Sequence, residues 1–292
     1  MNPVIINLAI LLVGTSIAAY TDYKSGIVPD KLSHFMIISG VILAPIVYND
    51  LLFVYGVAAV VFGLGFAMYS FGQLGGGDVK LFTAIALLVP FYPEIMQPVV
   101  RAIGISPALP VYPFIGSVFI LAGLIGPMFV IPIRTHFRLI KNKNKIPDFS
   151  KKVRKGFLLV FVLIPLLILW FSLAPAFIVI FIPMGITISL LPFKEDMIRL
   201  FYSEKKLITE LNDDDVLALE EIDEEMKEDL GLWRKTFTPP ELEKIKKKAE
   251  EKNYEEIKVC ENLPIFVPYI LLAILINLFF GDAFFYLVRI TV

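Results

Sequence analysis

The chain has 292 residues, of which 57% are hydrophobic and only 19% are charged, with a net charge of −1 and a mean hydropathy of +0.74. A soluble globule carries about 25% charged residues, so these values exclude an ordinary soluble domain and indicate a polytopic membrane protein. One cysteine, Cys260, leaves no internal disulfide and no CxxC pair for zinc, and two histidines, His34 and His136, argue against a His-rich metal site.

Spans of about 20 mainly apolar residues are predicted at 3–20, 31–49, 51–71, 79–97 and 112–133, within 156–192, and at 263–281. Met1 to Tyr20 lacks the basic start of a secretory signal and reads as a first span. The run 156–192 is too long for one ordinary span and holds Pro165, Pro175 and Pro183; Ser172-Leu173-Ala174-Pro175 reads as a turn between two short helices. The predicted fold class is therefore an all-α polytopic membrane protein with about eight transmembrane helices, in a range of six to eight. A small cytoplasmic α or α+β domain is predicted before the last helix.

Charge sets the orientation. Loop 134–155 carries nine basic residues against Asp148 alone, a net of +8, and positive loops stay cytoplasmic. Counting back five spans puts the N-terminus outside and loops 21–30 and 72–78 in the cytoplasm. The turn at Asn49-Asp50 and the loop 92–111 fall outside. Counting forward through the 156–192 hairpin returns segment 193–262 to the cytoplasm. That segment has 21 of the 28 acidic residues and 13 basic ones, a net of −8. Thr238-Pro239-Pro240-Glu241 is a capping box that predicts a helix through Lys252, and 254–259 alternates as a strand would. The expected organisation is a membrane domain 1–192 including the basic loop, an acidic cytoplasmic domain 193–262 that docks a substrate or partner, and a last span with the C-terminus, 263–292. The basic loop is expected to meet either the acidic domain or anionic lipid. It lacks interleaved aromatics, so nucleic acid is not an expected partner.

Outside the acidic domain seven carboxylates remain: Asp22, Asp30, Asp50, Asp78, Glu94, Asp148 and Asp282. The predicted topology sends Asp50, Glu94 and Asp282 to the far side, and the basic loop pairs Asp148. Asp22, at the end of the first span, and Asp78, at the head of the fourth, share the cytoplasmic boundary although 56 residues separate them. Asp30 after Pro29 reads as a helix N-cap. A carboxylate where a span begins is expensive and a functional candidate. Two facing carboxylates hold one proton between them and can act together as base and acid on a water and a peptide carbonyl, with no metal and no cofactor. The plain alternative is a pair of boundary caps facing water, and a proton relay in a proton-coupled transporter would use similar residues. The serines, His34, His136 and Cys260 show no nucleophile–base spacing.

Gly72 to Lys80, GQLGGGDVK, carries a family pattern: Gly75, Gly77, Asp78 and Lys80 fit GxGDxK. Asp22-Tyr23-Lys24-Ser25-Gly26-Ile27-Val28-Pro29-Asp30-Lys31-Leu32 resembles the first-aspartate loop of the same family, and the stretch from Leu263 to Asp282 resembles its last span. The chain thus resembles an archaeal type IV prepilin or preflagellin peptidase, a GxGD membrane aspartyl protease. The resemblance implies that Asp22 and Asp78 form a catalytic dyad at the cytoplasmic face of the plasma membrane. It implies substrates that are pilin-like or archaellin precursors with a short basic leader ahead of a hydrophobic helix. Gly75 and Gly77 are expected to clear the approach for an extended substrate, while Gly72 and Gly76 help the chain turn. Lys80 either stabilises the ionised Asp78 or binds a lipid headgroup. Bacterial members often add a methyltransferase activity and a tetracysteine zinc domain; the cysteines for the latter are missing, and neither is expected here. A presenilin-like intramembrane protease is the rival within the GxGD group, but Thr21 precedes Asp22 where that group has tyrosine, and Pro107-Ala108-Leu109 falls in an outside loop.

Overall fold

The computed structural model describes residues 3–70, 74–92, 113–171, 178–212, 215–234, 237–260 and 265–281. Among them, four helical runs are long and apolar enough to cross a membrane: Pro3–Ser25 (α1), Asp30–Val47 (α2), Leu51–Ser70 (α3) and the continuous run Phe114–Lys141. The last comprises α5 (Phe114–Gly123) and α6 (Ile131–Lys141), joined through a π-helical stretch, Leu124–Val130. Pro127 lies inside that stretch, where its missing N–H and bulky ring oppose a regular α turn.

A shorter helix, α4 (Gly76–Leu88), is the centre of the bundle. Every side chain from Leu81 to Leu88 is buried, as befits a helix apolar on all sides. It packs between α2 and α3 and touches α1 and α5. Small residues set the close approaches: a Cβ on Gly40 would stand 2.7 Å from Leu87 Cβ, and one on Gly65 2.9 Å from Val79 Cγ1. The buried stripe of α1 runs Asn7, Leu8, Leu11, Thr15, Ala18 and Asp22, at the three- and four-residue spacing of a helix face. The outer faces, including Val13, Ile46, Leu52 and Leu64, are exposed.

The predicted span 79–97 is corrected at both ends. The helix starts at Gly76, and Val89 leaves it at φ −140°, ψ 75°, because Pro90 disfavours helical geometry in the residue before it. The orphan carbonyl of Leu88 takes Asn7 Nδ2 at 2.9 Å and Tyr48 OH at 2.7 Å, and Tyr92 OH donates to the Asn277 carbonyl at 2.7 Å. The run read as 156–192 contains α7 (Phe149–Phe171) and α8 (Ile178–Ser189). Helix α7 begins inside the basic loop, whose lysines and arginines are good helix formers. The turn at 172–175, Gly72, Pro107-Ala108-Leu109, Asp282 and all of loop 92–111 but Tyr92 lie outside the described residues.

The basic loop meets the start of the acidic segment. Lys152 and Arg199 both pair with Asp196, itself 3% exposed, and Arg138 lies over the Phe201 ring at 5.5 Å. Beyond it, Ser203–Leu207 (β1), Val216–Leu217 (β2) and Glu256–Cys260 (β3) form an antiparallel sheet in the order β1-β3-β2, with Ser203 opposite Cys260. Ile257 and Val259 point into a core with Leu217, Leu230, Phe237 and Ile245. Two helices cover it, α9 (Glu224–Leu230) and α10 (Pro239–Lys252). The Thr238 N–H donates to Glu241 Oε2 at 2.8 Å, as the capping box predicts, and this bond holds the Glu241 carboxyl below its ordinary range. The Lys252 ammonium beside Asp229, with the Tyr254 hydroxyl, likewise lowers the Asp229 carboxyl. The last described helix, α11 (Val267–Phe280), packs on α1 and α5.

Candidate active site

Two carboxylates stand at one end of the bundle. Asp22 ends the buried face of α1 and is 7% exposed. Its Oδ2 accepts the backbone N–H of Phe266 at 3.0 Å and of Val267 at 2.9 Å. Asp78 is the third residue of α4, and its Oδ2 accepts the N–H of Gly75, the N-cap, at 3.3 Å. This is the reach-back bond of a capping box, with glycine in place of the usual hydroxyl. Asp22 lies within Coulombic reach of Asp78. Among the described residues each carboxylate uses only Oδ2 in its hydrogen bonds, with Oδ1 open to a water or a substrate atom. The pair has the makings of acid–base chemistry: two carboxylic groups on different helices, each within the electrostatic influence of the other.

The other expected site residues have closer partners. Lys80 Nζ pairs with Asp30 Oδ1 at 2.5 Å, so its described ion pair is to α2. Asp30 is the first residue of α2 and Pro29 is the N-cap; the expected cap is instead an ion pair, because proline already fixes the entry geometry and lacks an N–H of its own. A Cβ on Gly77 would stand 2.9 Å from Val28 Cβ, so the absent side chain lets the loop between α1 and α2 close on α4. A Cβ on Gly75 would stand 3.2 Å from Asp78 Oδ2, with no other described residue inside 4 Å. Gly76 faces Tyr69 at an ordinary 3.6 Å.

The backbone donors of Phe266 and Val267 escape a reading of sequence motifs. The signal for them is an omission. The N-terminal N–H groups of a helix need acceptors, and α11 opens with Phe266 in the cap position and no side-chain cap. An apolar residue where Ser, Thr, Asp or Asn is preferred implies an acceptor from elsewhere in the fold. His136, which the sequence places only in the basic loop, joins two helices: Nδ1 lies 2.9 Å from the Pro132 carbonyl and Nε2 2.9 Å from Ser189 Oγ.

Residues 9–131 match the type IV leader peptidase family. Over 99 residues the chain is 33% identical to the prepilin peptidase EppA of Methanothermobacter thermautotrophicus, a match that covers 32% of this chain and 26% of that protein. The matched stretch thus spans about a quarter of the length of this curated relative. No solved structure matches the chain. The stretch that fits the type IV leader peptidase family is the one that carries Asp22, Asp30, Asp78 and Lys80, and the chain is also similar to an archaeal prepilin peptidase.

Proposed function

We propose that this protein is a membrane-embedded aspartyl endopeptidase that removes the basic leader from pilin-like or archaellin precursors at the cytoplasmic face of the plasma membrane. The observation that carries this reading is the placement of Asp22, at the end of α1, within the electrostatic reach of Asp78 at the head of the buried helix α4. The family match supports the reaction class. One carboxylate, ionised, takes a proton from water as the water oxygen bonds to the scissile carbonyl carbon. The other, protonated, hydrogen-bonds the carbonyl oxygen, and a proton then reaches the leaving amine as the C–N bond breaks. Gly75 gives an extended substrate access beside Asp78. Gly77 and the Lys80–Asp30 pair shape the loops around the substrate.

The +8 loop 134–155 supports an orientation with these loops in the cytoplasm. In this reading eight segments cross the membrane, and 193–262 forms a cytoplasmic domain between the membrane domain 1–192 and the last span in 263–292. The test is cleavage of a pilin precursor and an archaellin precursor by membranes containing Asp22→Asn or Asp78→Asn. Loss of processing in both variants is expected; intact processing in either one removes the dyad.

A further inference from the structure

The two carboxylates are not held alike. Asp22 Oδ2 receives two N–H donors, at 3.0 and 2.9 Å, from the first turn of a helix that is not its own. Asp78 Oδ2 receives one, at 3.3 Å, from the cap of its own helix. Ordinary N–H···O bonds span about 2.7 to 3.2 Å, so the first pair are full bonds and the third is long. Donors aimed at a carboxylate favour its charged form, and the positive end of a helix adds to them. Both helices present such an end, so the difference lies in the number and length of the bonds. Among the described residues, Asp78 is a titratable group that feels the Asp22 charge. At the same end stand the Lys80–Asp30 pair, the exposed Lys24 on α1, and Arg134 of α6, which acts on Tyr269 of α11.

We infer that the N-terminus of α11, through the backbone N–H groups of Phe266 and Val267, holds Asp22 ionised as the general base and leaves the shared proton on Asp78. This rests on the aspartyl reading above and assigns its two roles. The Asp22 carboxylate takes the proton from water, and the water oxygen bonds to the carbonyl carbon. Asp78 gives its proton to the carbonyl oxygen. In the collapse, Asp22 passes its proton to the departing nitrogen, Asp78 recovers the hydroxyl proton, and both end as they began. The phenyl and isopropyl side chains take no part; Phe266 and Val267 are positioning residues. They lie beyond residues 9–131, so the site extends past the segment that the family match covers.

The test uses the full chain in lipid nanodiscs. Infrared difference spectra of wild type against Asp22→Asn and Asp78→Asn at neutral pH are expected to assign the ionised carboxylate band to Asp22 and the protonated carboxyl band to Asp78; the reverse assignment overturns the inference. Val267→Pro removes one donor at a helix position that tolerates proline, while Val267→Ala keeps the N–H and tests the lost packing. Relative to Val267→Ala, the acid limb of the kcat/KM profile should move about one pH unit upward in Val267→Pro. Identical profiles for the two also overturn it. Should Val267→Pro fail to fold, the spectra decide alone. Cleavage by Asp22→Asn would instead overturn the aspartyl reading itself.

Discussion

The two ends of α4 are finished in opposite chemistry. At the Leu88 end, neutral groups complete the backbone: an amide from Asn7 and a phenol from Tyr48 on one carbonyl. At the Gly76 end the work is done by charges: Asp78 on the Gly75 N–H, Asp22 on the start of α11, and Lys80 on Asp30. A helix end needs hydrogen-bond partners but does not need ionised ones. Neutral partners serve the Leu88 end, so the carboxylates at the other end exceed what folding alone requires. In a membrane that excess is costly, and the proposed dyad is a reason to keep it.

The largest effect should separate the ends by function. Asn in place of Asp22 or Asp78 is expected to lower precursor cleavage by about 100- to 10,000-fold, the range for losing a general acid or base. The wild-type kcat/KM should fall at both low and high pH, since one carboxyl must be ionised and the other protonated. A profile with a single limb would argue against a shared-proton pair. Next comes packing at the charged end. Gly77→Ala forces a Cβ against Val28 and should destabilise the fold by about 1–3 kcal/mol, read as thermal unfolding in detergent, with partial recovery in the Gly77→Ala/Val28→Gly double variant. Failure to recover would mean that Val28 is not what the glycine accommodates.

The neutral end should show a smaller and purely structural effect. Tyr48→Phe removes one of two donors to the Leu88 carbonyl and is expected to cost about 1 kcal/mol while kcat stays unchanged. A fall in kcat would break the division between the ends. Smallest is the Lys80–Asp30 pair. Its side chains are 31% and 61% exposed, so a double-mutant cycle should return less than about 1 kcal/mol. A larger coupling would place this pair with the dyad.

What the sequence made legible were features set by local rules. Asp22 and Asp78 stood out because only seven carboxylates lie outside the acidic segment and these two fall where helices meet one predicted face. The α10 cap stood out because Thr238 and Glu241 have the spacing of a capping box. The features that stayed hidden depend on distant backbone. Nothing local to Asp22 announces that it caps a helix 244 residues later. Gly77 reads as clearance for a ligand until Val28 is seen in the space. Lys80, one turn from Asp78, reads as its partner until the head of α2 brings Asp30 closer. The end of α4 is hidden for another reason: the apolar run continues past Leu88, and hydropathy does not register the break before Pro90.

The length of α4 has a consequence for depth. Thirteen residues rise about 20 Å, while the hydrocarbon core is about 30 Å thick. The two ends of this helix therefore cannot both reach a membrane surface. Bare backbone is not tolerated below the headgroups, and the end whose exposed carbonyl is already closed by Asn7 and Tyr48 is the one suited to sit there. The mismatch is then taken up at the Leu88 end, and the Asp78 end is left nearer a membrane surface, at a height that water can reach.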